Sequence, residues 1–245
     1  TTGVENTALG YDALRYNTTG GQNTAVGKDA LRVNTTGKRS VAVGYEALKA
    51  STTATDNVAV GYQALKANVV GIGCVALGPY ALTAQNGNVS GNIAIGQASM
   101  YENLTGTTNT AMGQDSLRLN TAGHRNVAIG FKALRDNTAS DNAAFGYESL
   151  ADNTTGTYNT SVGNYSLYTN TIGQKNVAVG TDALRASTTA DANVAVGYQA
   201  LKANVTGYSN TAIGFVALTD NTTGYGNVAM GQASLYENIT GAANS

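Results

Sequence analysis

Residues 6–37 read NTALGYDALRYNTTGGQNTAVGKDALRVNTTG, and the second half restates the first. Asn-Thr-Ala-aliphatic-Gly leads to an Ala-Leu pair and then to Asn-Thr-Thr-Gly, twice over. With Asn6 as position 1, the phrase begins again at Asn23, Ser40, Asn57, Cys74, Asn92 and Asn109. It continues at Asn126, Asn142, Asn159, Asn176, Asn193, Asn210 and Asn227, so that the 245 residues hold about fourteen units, nearly all 17 residues long. A slower rhythm overlies this one. NVAVGYQALKANV occurs at Asn57 and at Asn193, and GQASMYENLTG at Gly96 returns as GQASLYENITG at Gly231. The array therefore grew by duplication of a block of eight units.

Each recurring position has a physical reading. Positions 1 to 4 form a short strand, with Thr or Val at position 2 and an aliphatic residue at position 4 on one face and position 3 on the other. Gly at position 5 suits a bend, a positive φ or a close backbone approach. Positions 6 to 11 are short of β-branched residues and place an acid three residues before a base, as in Asp12/Arg15, Asp29/Arg32 and Glu46/Lys49. That spacing predicts one or two helical turns with Leu of position 9 facing inward; a second short strand is the runner-up. Asn-Thr-Thr-Gly returns the chain.

A unit of this kind buries about one aliphatic side chain and one Leu, too little to stand alone. Stacked at about 4.8 Å per coil, neighbours share a continuous column. The expected fold is mainly β: a parallel, β-roll-like solenoid of about fourteen 17-residue coils, each with one short strand and a short helical or turn segment. It is expected to run through residues 1–245 as one continuous array, with ends that read as cut from a longer one. Asn at positions 1 and 12 is expected to stack in amide ladders. Small residues at positions 3, 5 and 8 are expected to keep one surface shallow, so that another chain can pack closely.

Composition narrows the function. Only 12% of residues are charged, the net charge is −1, and there are 3 Phe and no Trp. Nothing draws such a surface to nucleic acid or to anionic lipid, and no apolar run approaches the length of a membrane span. The single cysteine, Cys74, forms no intrachain disulfide. Catalysis finds no support: the only histidine, His124, falls in a turn, and no nucleophile–base motif accompanies it. Zinc needs clustered Cys and His. GIGCVALG from Gly71 lacks the spacing of a phosphate loop. No catalytic, cofactor-binding or metal-binding residue is assigned, no cofactor is expected, and the chain is not expected to be an enzyme.

Three surface features remain. Position 6 is often aromatic, at Tyr11, Tyr45, Tyr62, Phe131, Tyr147, Tyr198 and Phe215. This row is a candidate binding surface for glycans or a neighbouring fibre, against the plainer reading of a brace between coils. Position 12 forms glycosylation sequons at Asn17, Asn34, Asn103, Asn153, Asn204, Asn221 and Asn238, against the plainer reading of a capping Asn in a tight turn. Rows of Thr raise an ice-binding reading, but adjacent Thr-Thr residues point to opposite sides.

SVAVG at Ser40, NIAIG at Asn92 and NVAIG at Asn126 resemble the SVAIG core of head repeats in YadA-like trimeric autotransporter adhesins. The longer NTAVGYxALxxNTTG phrase is similar to repeat regions of phage tail-fibre-like and other large surface proteins. The adhesin resemblance implies a left-handed parallel β-roll in a homotrimer; both imply an extracellular location, at a cell or virion surface, and no catalytic residue. Together with the repeat, this predicts a structural fibre or filament shaft that self-associates end to end or as a homotrimer or bundle. The alternative is an adhesin or receptor- and glycan-binding head module.

Overall fold

The computed structural model describes residues 2–245. It divides into two compact units, the first ending at Arg125 and the second running Asn126–Ser245. Each is a parallel β-solenoid. The first carries β1 (Thr7–Leu9), β2 (Thr24–Val26), β3 (Val41–Val43), β4 (Val58–Val60), β5 (Val75–Leu77), β6 (Ile93–Ile95) and β7 (Thr110–Met112). The second carries β8 (Val127–Ile129), β9 (Ala143–Phe145), β10 (Thr160–Val162), β11 (Val177–Val179), β12 (Val194–Val196), β13 (Thr211–Ile213) and β14 (Val228–Met230). Within a unit, strands consecutive in sequence are neighbours in the sheet, parallel and in register. Position meets position: Thr24 faces Val41, Ala25 faces Ala42, Val26 faces Val43. The same holds across the longer coil, where Val75 faces Ile93 and Leu77 faces Ile95.

Gly at position 5 ends every strand after three residues. Its φ lies between +113° and +142° in all coils, a region closed to side chains. A Cβ on Gly61 would also stand 2.5 Å from the carbonyl oxygen of Gly78 in the next coil.

The helical segment expected at positions 6 to 11 is absent. A chain of tight turns takes its place. Ala13 N–H donates to Gly10 O at 3.3 Å, Arg15 N–H to Asp12 O at 3.4 Å and Asn17 N–H to Leu14 O at 3.1 Å. Positions 7 and 9 carry positive φ, 58° at Asp12 and 51° at Leu14, and the pattern recurs in every coil. The reason lies in where the peptide groups point. A helix satisfies its N–H groups internally, leaving none for the coils above and below. Here Asp29 N–H bonds Tyr11 O one coil back at 2.9 Å, while Leu31 N–H bonds Ala47 O one coil ahead at 3.0 Å. Alternate left-handed residues turn successive peptides up and down the stack, so the turn face is laddered as the strand face is. The acid–base spacing that suggested a helix is nonetheless occupied by ion pairs. Arg15 meets Asp12 at 2.8 Å, Lys49 meets Glu46 at 2.6 Å and Arg185 meets Asp182 at 3.1 Å. Tandem turns also bring i and i+3 together, so this spacing does not tell the two apart.

The strand face is reversed relative to expectation. Ala at position 3 points inward and is buried, as at Ala25, Ala42 and Ala195, whereas positions 2 and 4 point outward. Val26 is half-exposed and Val60 is 38% exposed. The core is a narrow stack of position-3 Ala, position-8 Ala or Ser and position-9 Leu; Leu31, Leu48, Leu65 and Leu184 are fully buried. Small residues at positions 3 and 8 therefore line the interior and do not shape a surface for another chain. A coil this small admits only Ala or Ser beside each position-9 side chain.

Candidate interaction surfaces

The interior also holds two amide ladders. At position 1, Asn6 Oδ1 accepts from Asn23 N–H at 3.0 Å, and Asn23 Oδ1 accepts from Ser40 N–H at 3.0 Å. The Asn23 Nδ2 donates across its coil to Gly37 O at 2.9 Å. At position 12, Asn34 Nδ2 donates both to Asn17 Oδ1 of the preceding coil at 2.8 Å and to the same Gly37 O at 3.1 Å. The same arrangement recurs at Asn120, Asn170 and Asn221. Most of these side chains are buried, and their amide nitrogens find acceptors, which makes burial tolerable; the Oδ1 atoms of Asn34, Asn120 and Asn170 have no hydrogen-bond partner.

This ladder decides the place of the sequons. Asn34, Asn103, Asn153, Asn204 and Asn221 are fully buried, and Asn17 and Asn238 are half-buried. Each donates its Nδ2 to a main-chain carbonyl three residues on, as Asn103 does to Gly106 O at 2.9 Å and Asn153 to Gly156 O at 2.9 Å. That nitrogen is the atom a glycan would occupy, so a glycan on a buried member and this folded coil exclude one another.

The position-6 aromatics lie outside. Tyr11 is 70% exposed, and Tyr45, Tyr62, Tyr147, Tyr198 and Phe215 are also exposed; Phe131 is half-exposed. Neighbouring coils stack their rings: Tyr45 on Tyr62 at 5.1 Å and 11°, Phe131 on Tyr147 at 5.2 Å and 19°, Tyr198 on Phe215 at 5.4 Å and 14°. Offset stacking at this spacing follows from the coil repeat. Tyr80 extends the first row edge-on to Tyr62 at 5.1 Å, and Tyr165 extends the second edge-on to Tyr147 at 5.3 Å. Lys28 interrupts the first row, its Nζ 5.9 Å from the Tyr11 ring and 5.7 Å from that of Tyr45. The rings brace one another and keep a face toward solvent.

Most charges lie on the turn face, while Arg39 pairs with Asp56 at 2.6 Å at position 17, outside it. Glu46 is reached by Lys49 at 2.6 Å, by Lys66 of the next coil at 2.7 Å and by Gln63 Nε2 at 2.8 Å. Burial alone pushes this carboxyl up, but the hydrogen bonds from Lys49 and Lys66 outweigh it and hold it down at about 2. In the second unit Arg135 bridges Asp136 at 2.6 Å and Asp152 at 2.9 Å. His124 Nδ1 accepts from Thr107 N–H at 3.0 Å and so belongs to a turn contact. Cys74 is buried in a position-1 column, its Sγ 3.6 Å from Val89 O. No group of three or more potential metal ligands exists among the described residues, and no helix there is long and apolar enough to cross a membrane.

One surface was not anticipated from the sequence. Positions 2 and 4 give each unit two outward columns of Thr, Val, Ile, Leu, Met, Ala and Phe with no charged member. In the first unit they include Ile93, 37% exposed, and Met112, 39% exposed. A signal for this was present. Position 3 is Ala in every unit but one, while position 4 ranges from Val to Phe. A closely packed interior fixes side-chain volume, and a free surface does not. No protein-family model, no curated protein and no solved structure matches the chain.

Proposed function

We propose that the chain is a structural element, the shaft of an extracellular fibre or filament, and not an enzyme. One observation carries this reading: in both faces of the coil the backbone groups bond to the coils before and after, so each coil is a template for the next. Strand Thr24 N–H reaches Ser40 O at 2.9 Å, and turn residue Glu46 N–H reaches Lys28 O at 2.9 Å. Such a stack gives length and stiffness from few residues. The uncharged outward columns of positions 2 and 4 are the natural faces for self-association, as a homotrimer or a bundle. Mass per length of the native particle by electron microscopy tests both points. One chain per cross-section gives about one coil per 4.8 Å of axis, and a trimer gives three times that. A particle that is not filamentous would overturn the shaft reading.

A second reading, an adhesin or glycan-binding head, is favoured by the exposed stacked rings at Tyr45 and Tyr62. Glycan-array binding that is lost in Tyr45→Ala and Tyr62→Ala supports it; binding unchanged by both removes it.

A further inference from the structure

The position-12 ladder is interrupted once in each unit. Ser51 and Ser187 stand where the other coils place an amide side chain, and both are fully buried. The residue three further on changes with them. It is Gly after Asn17, Asn34, Asn68, Asn153, Asn170 and Asn204, and Ala after Ser51 and Ser187. Packing explains the coupling. A Cβ on Gly37 would stand 2.5 Å from Asn34 Oδ1, and one on Gly156 would stand 2.5 Å from Asn153 Oδ1. The amide oxygen thus takes the space of that Cβ. A serine does not reach it, and the methyls of Ala54 and Ala190 fit there, both buried.

The exchange does not balance. Asn with Gly carries four side-chain heavy atoms, and Ser with Ala carries three. The atom lost is a donor. In an ordinary coil the position-12 nitrogen donates to the Oδ1 of the preceding coil and to its own position-15 carbonyl, as Asn221 Nδ2 does to Asn204 Oδ1 at 2.7 Å and to Gly224 O at 3.0 Å. Where Ser intervenes, the acceptors left behind are Asn34 Oδ1 in the first unit and Asn170 Oδ1 in the second, and neither has a hydrogen-bond partner. Ser51 Oγ and Ser187 Oγ have none either. In the first unit position 1 is also serine: Ser40 Oγ donates to Lys38 O at 3.3 Å, whereas in the second Asn176 Nδ2 reaches Ala190 O at 2.7 Å. The remaining orphan of this ladder, Asn120 Oδ1, belongs to the coil that ends the first unit.

We propose that each of these two points binds one internal water molecule in the role of the missing amide nitrogen. The water donates to the Oδ1 of the preceding Asn and to the position-15 carbonyl, and accepts from the serine hydroxyl. A buried polar atom left without a partner is costly, and an internal water with two to four polar partners removes that cost. The difference of one heavy atom sets the size of the ligand at a single water. Its partners are hydroxyl and carbonyl oxygens with no carboxylate among them, so a buried cation would lack a counter-charge. The proposal is independent of the shaft reading.

A crystal structure of the intact chain, at a resolution that shows ordered water, tests it against the variant Ser51→Asn, Ala54→Gly, Ser187→Asn, Ala190→Gly, which restores the ordinary coil at both points. The native chain is expected to hold one water at each serine, within hydrogen-bond distance of Asn34 Oδ1 or Asn170 Oδ1. The variant is expected to carry an amide nitrogen in its place. Water magnetic relaxation dispersion reads the same exchange in solution and should lose two long-lived waters in the variant. Ser51→Asn alone is expected to lower the thermal midpoint, because its Oδ1 meets the Ala54 methyl, and adding Ala54→Gly is expected to restore it. Either serine without water in the native chain, a cation at either point, or a Ser51→Asn chain as stable as the pair would each overturn the proposal.

Discussion

Gly163 sits at φ +133°, and a Cβ there would stand 2.6 Å from both the carbonyl carbon and the oxygen of Gly180. Gly163→Ala is therefore expected to destabilise the fold by roughly 2–5 kcal/mol, combining backbone strain with overpacking against main chain that has no rotamer to shift. An unchanged urea midpoint would contradict the coil-to-coil approach. Leu65 presents the opposite balance. Its φ of 50° is unfavourable for a side chain, by about 1–2 kcal/mol, yet its full burial contributes about 1.5–3 kcal/mol and wins. Leu65→Ala keeps the strain and loses the burial, so a cost of about 2–5 kcal/mol is expected in chemical denaturation. Asn193 shows why the ladders demand an amide. It donates to Asn176 Oδ1 and Gly207 O and accepts from Asn210 N–H. Asn193→Asp removes both donors and buries a charge. The new carboxyl will have a raised pKa, so the variant's deficit should be full at neutral pH and shrink on acidification. A deficit independent of pH would show that the column is not closed to water.

At the scale of the element, the turn face is held by pairs spaced three residues apart within a coil and by their extension to the next. Glu46 is the centre of one such cluster. Its folded pKa is depressed from 4.5 to about 2. Its contribution to stability is thus complete above 4.5 and disappears as pH falls through about 2. Thermal melts of the wild-type chain and of Glu46→Gln should differ at neutral pH and converge toward pH 2. The strand element behaves differently. Three residues are too few to be stable alone, and its order comes from in-register neighbours such as Ala59 and Ala76. Its outward residues are only partly buried, which leaves them freer to vary than the position-3 Ala.

At the scale of the whole molecule, the coil is the unit of change. Copying Asn193–Ser209 and inserting the copy before Asn210 adds one complete set of ladder bonds, so the longer chain should fold and gain stability. Inserting only Asn193–Leu201 puts strand residues opposite turn residues and should disrupt the local stack. Circular dichroism melts of the two insertions distinguish these outcomes, and equal tolerance of both would refute register as the organising constraint.

The repeat by itself determined the parallel stack, the register, the inward Leu of position 9 and the amide ladders. These follow from what can stand on a copy of itself: Asn on Asn, Leu on Leu, Gly where two backbones meet. It did not determine the course of positions 6 to 11, because acid–base pairs three apart fit a helix and a chain of turns equally well. Only the demand that each peptide bond to another coil selects the turns. Nor did it determine which strand face is inside. Alternation defines two faces without saying which is buried, and the larger aliphatic residues pointed to the wrong one. The narrow width of a 17-residue coil, which admits Ala or Ser beside Leu and nothing bulkier, is a property of the closed coil.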